Sequence, residues 1–247
     1  KEVMKMIIGL VPAKCTNNDM SFNINQIYKY LEIASNENID YIFFGESFLQ
    51  GFDSLSWSFK IDSQIAVTKN SSIIEEMKSK AKSFSVGIGL GYFELSIDSI
   101  YSSYLVISPH GQEVVNYRRI SKGWKEFSKT DEHYKEGKGL KHFSITGYDF
   151  TLALCGDLWD ESSSPIFDND NVKNTYIIWP VHVDYSRKEW AKEIDEYHKR
   201  ALDFSNHAFL INNIIEPSAF GGAFYFNGTG YKAVEFGKEE ILSIKLS

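Results

Sequence analysis

An apolar run that stops at a cysteine, residues 149–160, constrains the possible fold of this chain more than any other stretch. Its sequence is Asp-Phe-Thr-Leu-Ala-Leu-Cys-Gly-Asp-Leu-Trp-Asp. Side chains of a strand alternate between the two faces of a sheet. The alternation predicts a buried strand with large side chains on one face, Phe150, Leu152 and Leu154, and small ones on the other, Thr151, Ala153 and Cys155. The thiol is therefore expected at the exit of a buried strand.

The residue after the cysteine favours a chemical role for the thiol. Gly156 permits a sharp turn, and its backbone N–H can point into the space beside the Cys155 sulfur. An oxyanion would form in that space after attack on a carbonyl or nitrile carbon. The alternative is that Cys155 is a small buried hydrophobe, which is the usual role of a free cysteine. The run by itself leaves both interpretations open.

Composition limits the classes of protein to consider. A chain of 247 residues with 43% hydrophobic and 15% aromatic content fits one globular α/β domain over residues 1–247. A net charge of -7 argues against a nucleic-acid partner, because phosphates require an excess of Lys and Arg. Cys15 and Cys155 lie far apart and lack ligand-like spacing, so we expect neither a disulfide framework nor a zinc site, and a reducing cytoplasm. We also expect no other metal and no cofactor.

Hydrophobic periodicity predicts alternating strands and helices. The apolar stretch at residues 6–11 is too short for a signal peptide or a membrane span, so no membrane partner is expected. Ser21 is the expected N-cap of the first helix. The predicted helices are residues 21–36, 63–84 and 187–206, and the predicted strands are 4–12, 39–46, 86–92, 101–108, 113–120, 149–155, 176–180, 207–212, 231–236 and 241–246.

Two other predicted strands also end at reactive side chains. Glu46 is the last residue of the strand predicted for residues 39–46 and lies between Phe44 and Phe48. A carboxylate in such apolar surroundings is costly unless it is paired or protonated. It is a candidate general base, with a capping carboxylate as the alternative. The strand at residues 113–120 leads into a cluster of cations from Arg119 to Lys125, for which exposure to solvent is the default interpretation.

The order and setting of these three strand exits resemble the nitrilase or carbon-nitrogen hydrolase superfamily. The matching segments are Phe-Phe-Gly-Glu-Ser-Phe-Leu-Gln-Gly-Phe at residues 43–52, Tyr-Arg-Arg-Ile-Ser at 117–121 and Leu-Cys-Gly-Asp-Leu-Trp at 154–159. Arg200-Ala201 with Asn206, and the Phe-Gly-Gly at residues 220–222, extend the resemblance over most of the chain.

The resemblance implies a four-layer α-β-β-α sandwich and a Glu-Lys-Cys triad that cleaves non-peptide C–N bonds. Glu46 would then be the general base, Cys155 the nucleophile and the Gly156 N–H an oxyanion donor. Glu132 would correspond to a second acid often found near the triad. A base near the thiol suits this chemistry, because the thiolate is the nucleophile. Family members usually form dimers, so a homodimer or higher homo-oligomer is expected.

One departure from the family pattern concerns the cation. The family lysine falls at Arg119, whose planar fork differs from a compact ammonium. Arg119 supplies the charge itself, or Lys125 or Lys122 supplies it from the following turn, with Lys125 preferred, or the site is inactive. The Pro-Glu of the family after the cysteine is Asp160-Glu161 here and its late serine is Ala223, which leaves the substrate class open.

We expect a thiol amidohydrolase that acts on a small amide through a thioester on Cys155. The first alternative is a pseudoenzyme or binding protein of the same fold, because the lysine position holds Arg119. The second is an ammonia-supplying or acyl-transfer domain that works with a partner chain.

Overall fold

A computed structural model describes residues 5–246, and its strands follow the apolar runs of the sequence. The helices are α1 (Met20–Asn36), α2 (Phe59–Asp62), α3 (Ser72–Phe84), α4 (Ser164–Phe167), α5 (Asp170–Lys173) and α6 (Arg187–Phe204). The strands are β1 (Met6–Leu10), β2 (Tyr41–Phe43), β3 (Gly87–Ser96), β4 (Ser99–Ile107), β5 (Glu113–Arg118), β6 (His142–Ile145), β7 (Tyr148–Leu152), β8 (Tyr176–Val181), β9 (His207–Asn212), β10 (Ile214–Ile215), β11 (Ala219–Phe220), β12 (Ala223–Asn227), β13 (Gly230–Val234) and β14 (Leu242–Leu246).

Twelve of the strands form two six-stranded sheets with matching topology, and β10 and β11 form a separate two-stranded sheet. The first sheet has the order β14-β1-β2-β3-β4-β5, and the second has the order β13-β12-β9-β8-β7-β6. Each sheet has three parallel strands at its centre, β1 to β3 in the first and β7 to β9 in the second. Antiparallel strands complete both sides of each sheet. The last two predicted strands are present as β13 and β14, at the edges of different sheets.

The two sheets pack face to face through large apolar side chains. The first sheet contributes Phe43, Tyr104 and Tyr117 to this core, and the second contributes Phe150 and Leu152. Leu154 also belongs to this layer, as the predicted alternation requires. Full burial of each such side chain stabilises the fold by about 1.5–3 kcal/mol. This contact fixes the position of each sheet relative to the other.

Helices cover the outer face of each sheet. Helices α1 and α3 pack on the first sheet, and α6 packs on the second. The apolar stripe of α6, with Trp190 and Tyr197, lies in this outer core, so the stripe is internal packing. The structure confirms the expected four-layer α-β-β-α sandwich. Within residues 5–246, no helix combines the length and the apolar character that crossing a membrane requires.

Two predicted helix boundaries differ from the structure. The first helix begins at Met20, because the Asp19 carboxylate accepts a hydrogen bond of 2.9 Å from the Phe22 N–H and so replaces Ser21 as the N-cap. Of the helix predicted for residues 63–84, only the part in α3 (Ser72–Phe84) is helical, and α2 ends at Asp62, before the predicted range begins. Between them, the Val67 N–H bonds the Phe93 carbonyl of β3, which takes the backbone out of the helical path.

Candidate active site

Three strand exits lie close together at the same end of the two stacked sheets. Glu46 lies three residues after β2, Arg119 directly follows β5, and Cys155 lies three residues after β7. The charges of Glu46 and Arg119 both act on the Cys155 thiol. The structure therefore brings together the side chains that the sequence placed at separate strand exits.

Glu46 and Arg119 form a buried ion pair. Glu46 has no exposed surface and Arg119 is 3% exposed. The Arg119 Nη1 donates to Glu46 Oε1 at 2.8 Å, and the Ser102 hydroxyl donates to the same oxygen at 2.9 Å. The other carboxylate oxygen, Oε2, is buried and has no hydrogen-bond partner among the described residues. One oxygen of Glu46 thus holds the cation and the other remains available to a substrate or a proton.

The Arg119 guanidinium also extends under the cysteine turn. Its Nε donates to the Ser121 hydroxyl at 2.8 Å, and a Cβ built on Gly156 would lie only 2.8 Å from its Nη2. A side chain at residue 156 would therefore displace the guanidinium from its present position. Burial acts to lower the pKa of Arg119, but the negative charges of Glu46, of the Cys155 thiolate and of Asp157 raise it above its usual value.

Cys155 begins a short 3-10 turn, Cys155–Leu158, in a backbone conformation that is rare for a residue with a side chain. Its φ of 40° lies in the left-handed region, and such strain often occurs at functional sites. The half-buried thiol donates to the His182 carbonyl at 3.6 Å. Burial raises the pKa of the Cys155 thiol to about 11, Arg119 acts to lower it and Glu46 acts to raise it further. The thiol is thus protonated at neutral pH and needs a base.

Asp157 fixes the cysteine turn to the strand exit that carries Arg119. Its Oδ2 accepts hydrogen bonds from the Leu154 N–H at 2.8 Å and from the Tyr117 hydroxyl at 2.6 Å. Its Oδ1 accepts from the N–H groups of Ile120 and Ser121 at 3.0 and 2.7 Å. This role was not predicted from the sequence, although an acid two residues after a buried cysteine is a signal that could have suggested it.

Asn213 holds the backbone on which Glu46 lies. Its amide oxygen accepts from the Gly45 N–H at 2.9 Å, and its amide nitrogen donates to the Glu46 carbonyl at 2.7 Å. Neither Asn213 nor Ser102 was predicted from the sequence to belong to the site. The sequence around Ser102 contains no signal of a site residue. The adjacent Asn212 and Asn213, at the end of an apolar strand, do indicate buried polar contacts.

The remaining sequence candidates lie in other surroundings. The Lys125 Nζ donates to the Tyr134 carbonyl at 2.9 Å and forms an ion pair with Glu136. Lys122 and Glu132 are exposed. The described residues contain no group of three or more His, Cys, Asp or Glu side chains that could hold a metal ion. Of the three candidate cations, Arg119 is the one hydrogen-bonded to Glu46.

Trp124 and Trp159, the tryptophans that follow two of the strand exits, pack in different clusters. Trp124 is buried in a cluster with Phe93 and Tyr134. Trp159 packs edge to face on Tyr197 of α6, with ring centroids 5.1 Å apart. Arg200 donates to the Leu158 carbonyl at 2.6 Å, which joins α6 to the cysteine turn.

A match to a known protein family agrees with this arrangement. The model of the carbon-nitrogen hydrolase family matches residues 7–212, which include all three strand exits. The chain belongs to the carbon-nitrogen hydrolase family. The membership predicted from the three sequence segments is thereby confirmed, and the protein is a carbon-nitrogen hydrolase by family.

A curated relative with sequence similarity to this carbon-nitrogen hydrolase is an arylacetonitrilase from Fusarium vanettenii. The two are 26% identical over 121 residues, which are 46% of this chain and 36% of the relative. The chain matches about a third of the length of the curated relatives, so the similarity leaves the substrate open.

Solved structures with this fold include enzymes of the nitrilase superfamily. A mutant of the amidase from Nesterenkonia AN1 has a TM-score of 0.80 and 13% identity, with 98% of this chain and 92% of that chain covered. A glutamine-dependent NAD+ synthetase from Acinetobacter baumannii has a TM-score of 0.77 and 14% identity, with 99% of this chain and 46% of that chain covered. At these identities the similarity establishes the fold of the hydrolase.

Proposed function

We propose that this carbon-nitrogen hydrolase cleaves a small amide through a covalent thioester on Cys155. The observation that supports the proposal best is the buried Glu46 and Arg119 pair next to the cysteine turn, with Glu46 Oε2 left without a partner. A thiol with a raised pKa needs a nearby base, and a buried carboxylate oxygen without a partner meets that need.

In the proposed first half-reaction, Glu46 Oε2 takes the proton of Cys155 as the sulfur attacks the amide carbon. The tetrahedral oxyanion accepts hydrogen bonds from the Gly156 N–H and from the Arg119 guanidinium. The C–N bond then breaks, Glu46 returns the proton to the nitrogen, and ammonia leaves. Each preorganised donor directed at a developing oxyanion contributes about 3–4 kcal/mol.

In the second half-reaction, Glu46 takes a proton from water as the water oxygen attacks the thioester carbon. The C–S bond breaks, the proton returns to the sulfur, and the carboxylic acid leaves. Arg119 would supply the positive charge that a lysine supplies elsewhere in the family. Its contact with Glu46 and its proximity to Gly156 support that role. One planar guanidinium can donate from Nη1 to Glu46 while its Nη2 lies beside the oxyanion position next to Gly156.

A nitrile is the second candidate substrate, because the arylacetonitrilase matches 46% of this chain. The chemistry would start in the same way, with attack by the Cys155 sulfur on the nitrile carbon. Glu46 would then donate its proton to the nitrile nitrogen to give a thioimidate on Cys155.

Ammonia release and covalent labelling test the proposal together. The protein and its Cys155→Ala variant would be incubated with a panel of small amides and nitriles, and adducts would be located by mass spectrometry. Cys15→Ala is the matched control, because Cys15 is the other cysteine and is buried away from this site. We expect ammonia and a Cys155 adduct from the wild type and from Cys15→Ala, and neither from Cys155→Ala.

Other outcomes would support the alternatives. Absence of both ammonia and adduct for every compound would favour a binding protein of this fold. Turnover that begins only when a partner chain is added would favour an ammonia-supplying or acyl-transfer domain.

A further inference from the structure

His182 lies beside the thiol and its ring is fixed in place. It directly follows β8, and its carbonyl accepts the hydrogen bond from the Cys155 thiol. The imidazole stacks on Phe52, with ring centroids 4.0 Å apart and 6° between the planes. Phe52 in turn packs against the clusters beneath it. The ring is therefore held close to the cysteine turn, with little freedom to rotate.

The His182 Nδ1 is a buried polar atom that lacks a hydrogen-bond partner in the described part of the chain. Such atoms are rare in folded proteins, because each costs stability, and they often await a ligand or water. Burial lowers the pKa of His182, despite the opposing effect of nearby carboxylates, so the ring is neutral. A neutral imidazole with its proton on Nε2 presents the Nδ1 lone pair as an acceptor.

The charges around His182 are mainly negative. Glu46, Asp53 and Asp184 all act on its ring, and only Arg119 opposes them. Asp53 follows the stacked Phe52, Asp184 lies two residues after His182, and both are exposed. Within residues 5–246, neither of these two aspartates forms an ion pair, whereas Arg119 is already paired with Glu46.

We propose that His182 selects amides whose acyl group carries a protonated amine. The ammonium donates a hydrogen bond to Nδ1, and the negative charges of Asp53 and Asp184 stabilise its positive charge. An acyl group that carries a carboxylate is disfavoured by the same two aspartates, and a purely apolar one leaves Nδ1 without a partner. This inference rests on the proposed function, since it assigns the substrate class of the same site.

Three amides of similar size separate these classes: 3-aminopropanamide, butanamide and succinamate. Their binding would be measured by calorimetry in Cys155→Ala, which cannot turn them over, and their kcat/KM in the wild type. We expect 3-aminopropanamide to be preferred over butanamide by about ten- to a hundredfold, the usual effect of a charged hydrogen bond. Succinamate should bind more weakly than butanamide.

The His182→Phe substitution provides the deciding comparison, because phenylalanine keeps the stack on Phe52 and removes Nδ1. Combined with Cys155→Ala, it should reduce the preference for 3-aminopropanamide to within about threefold, while butanamide binding stays unchanged. His110→Phe, on the exposed turn between β4 and β5, is the control and should keep the full preference. Melting temperatures would show that each variant folds.

The binding measurement separates this inference from the proposed function. Selective binding of 3-aminopropanamide that requires His182, without turnover in the wild type, would reject the hydrolase and keep the amine site. Turnover of amides without a preference for the amine, or with a preference that survives His182→Phe, would reject the amine site and keep the hydrolase. Absence of binding by all three amides would also overturn the inference.

Discussion

The Arg119 Nη1 lies 2.8 Å from Glu46 Oε1 in an ion pair that the sheet stack almost completely encloses. Removing one member of a buried pair leaves the other charged and unpaired, so such changes affect stability as well as chemistry. A second ion pair joins Arg118, the residue before Arg119, to Glu94; Glu94 is buried, and the Arg118 side chain is 32% exposed. It offers matched controls that separate the two effects.

Glu46→Gln keeps the shape of the side chain and removes the proposed base. We expect kcat for amide hydrolysis to fall by about two to four orders of magnitude, the usual effect of losing a general base. Steady-state ammonia release would measure it. Glu94→Gln should lose a similar amount of stability, about 1–3 kcal/mol, and retain kcat. A fall of less than about threefold for Glu46→Gln would make that carboxylate structural.

Substitutions of Arg119 and of Lys125 should have opposite effects on activity if Arg119 supplies the positive charge of the site. Because Lys125 is paired with Glu136, Lys125→Gln should leave kcat/KM within about threefold of wild type. Arg119→Gln should lower it by at least about a hundredfold, since an oxyanion donor contributes about 3 kcal/mol. Arg119→Lys should retain more activity than Arg119→Gln, because the charge remains. Kinetics on folded variants would measure all three, and a severe Lys125→Gln defect beside a mild Arg119→Gln defect would contradict the assignment.

Asp157→Asn should disturb both the fold and the reaction. The amide group replaces one acceptor oxygen by a donor, so it faces N–H or O–H groups that can no longer all be paired. We expect the free energy of unfolding in urea to fall by about 2–4 kcal/mol, with a lower kcat as the cysteine turn loosens. Asp149→Asn, at the one exposed position of β7, should change neither by much. If the two variants had the same free energy of unfolding and the same kcat, Asp157 would not hold the cysteine turn in place.

Alkylation of Cys155 should depend steeply on pH. Because burial raises the pKa of the thiol to about 11, the thiolate fraction at pH 7 is small and rises about tenfold for each pH unit up to pH 10. Iodoacetamide labelling of the Cys15→Ala variant, followed by mass spectrometry, measures this rise. Arg119→Gln should shift the profile to higher pH, since the Arg119 charge lowers that pKa. A labelling rate that is already constant from pH 6 to pH 8 would mean that Cys155 exists as a thiolate.

Much of the fold could be predicted from local pattern. The alternation in residues 149–155 correctly assigned the faces of the cysteine strand, and the apolar stripes of the helices identified the sides that pack on the sheets. Periodicity carries this information because residues at regular spacing lie on the same face of a strand or helix, and the buried face requires apolar side chains. It failed between residues 63 and 71, where the backbone of Val67 bonds β3 in place of a helical neighbour.

The family, the sandwich fold and the three strand exits could be predicted from the sequence, since these depend on residue types and their order along the chain. The three-dimensional structure was needed to show that Arg119, and not Lys122 or Lys125, contacts Glu46, and that Asp157 and Asn213 hold the two turns. Glu46 and Arg119 are 73 residues apart, and Tyr117 and Asp157 are 40 apart. Such contacts depend on how two sheets stack and where each strand ends, which no local pattern encodes.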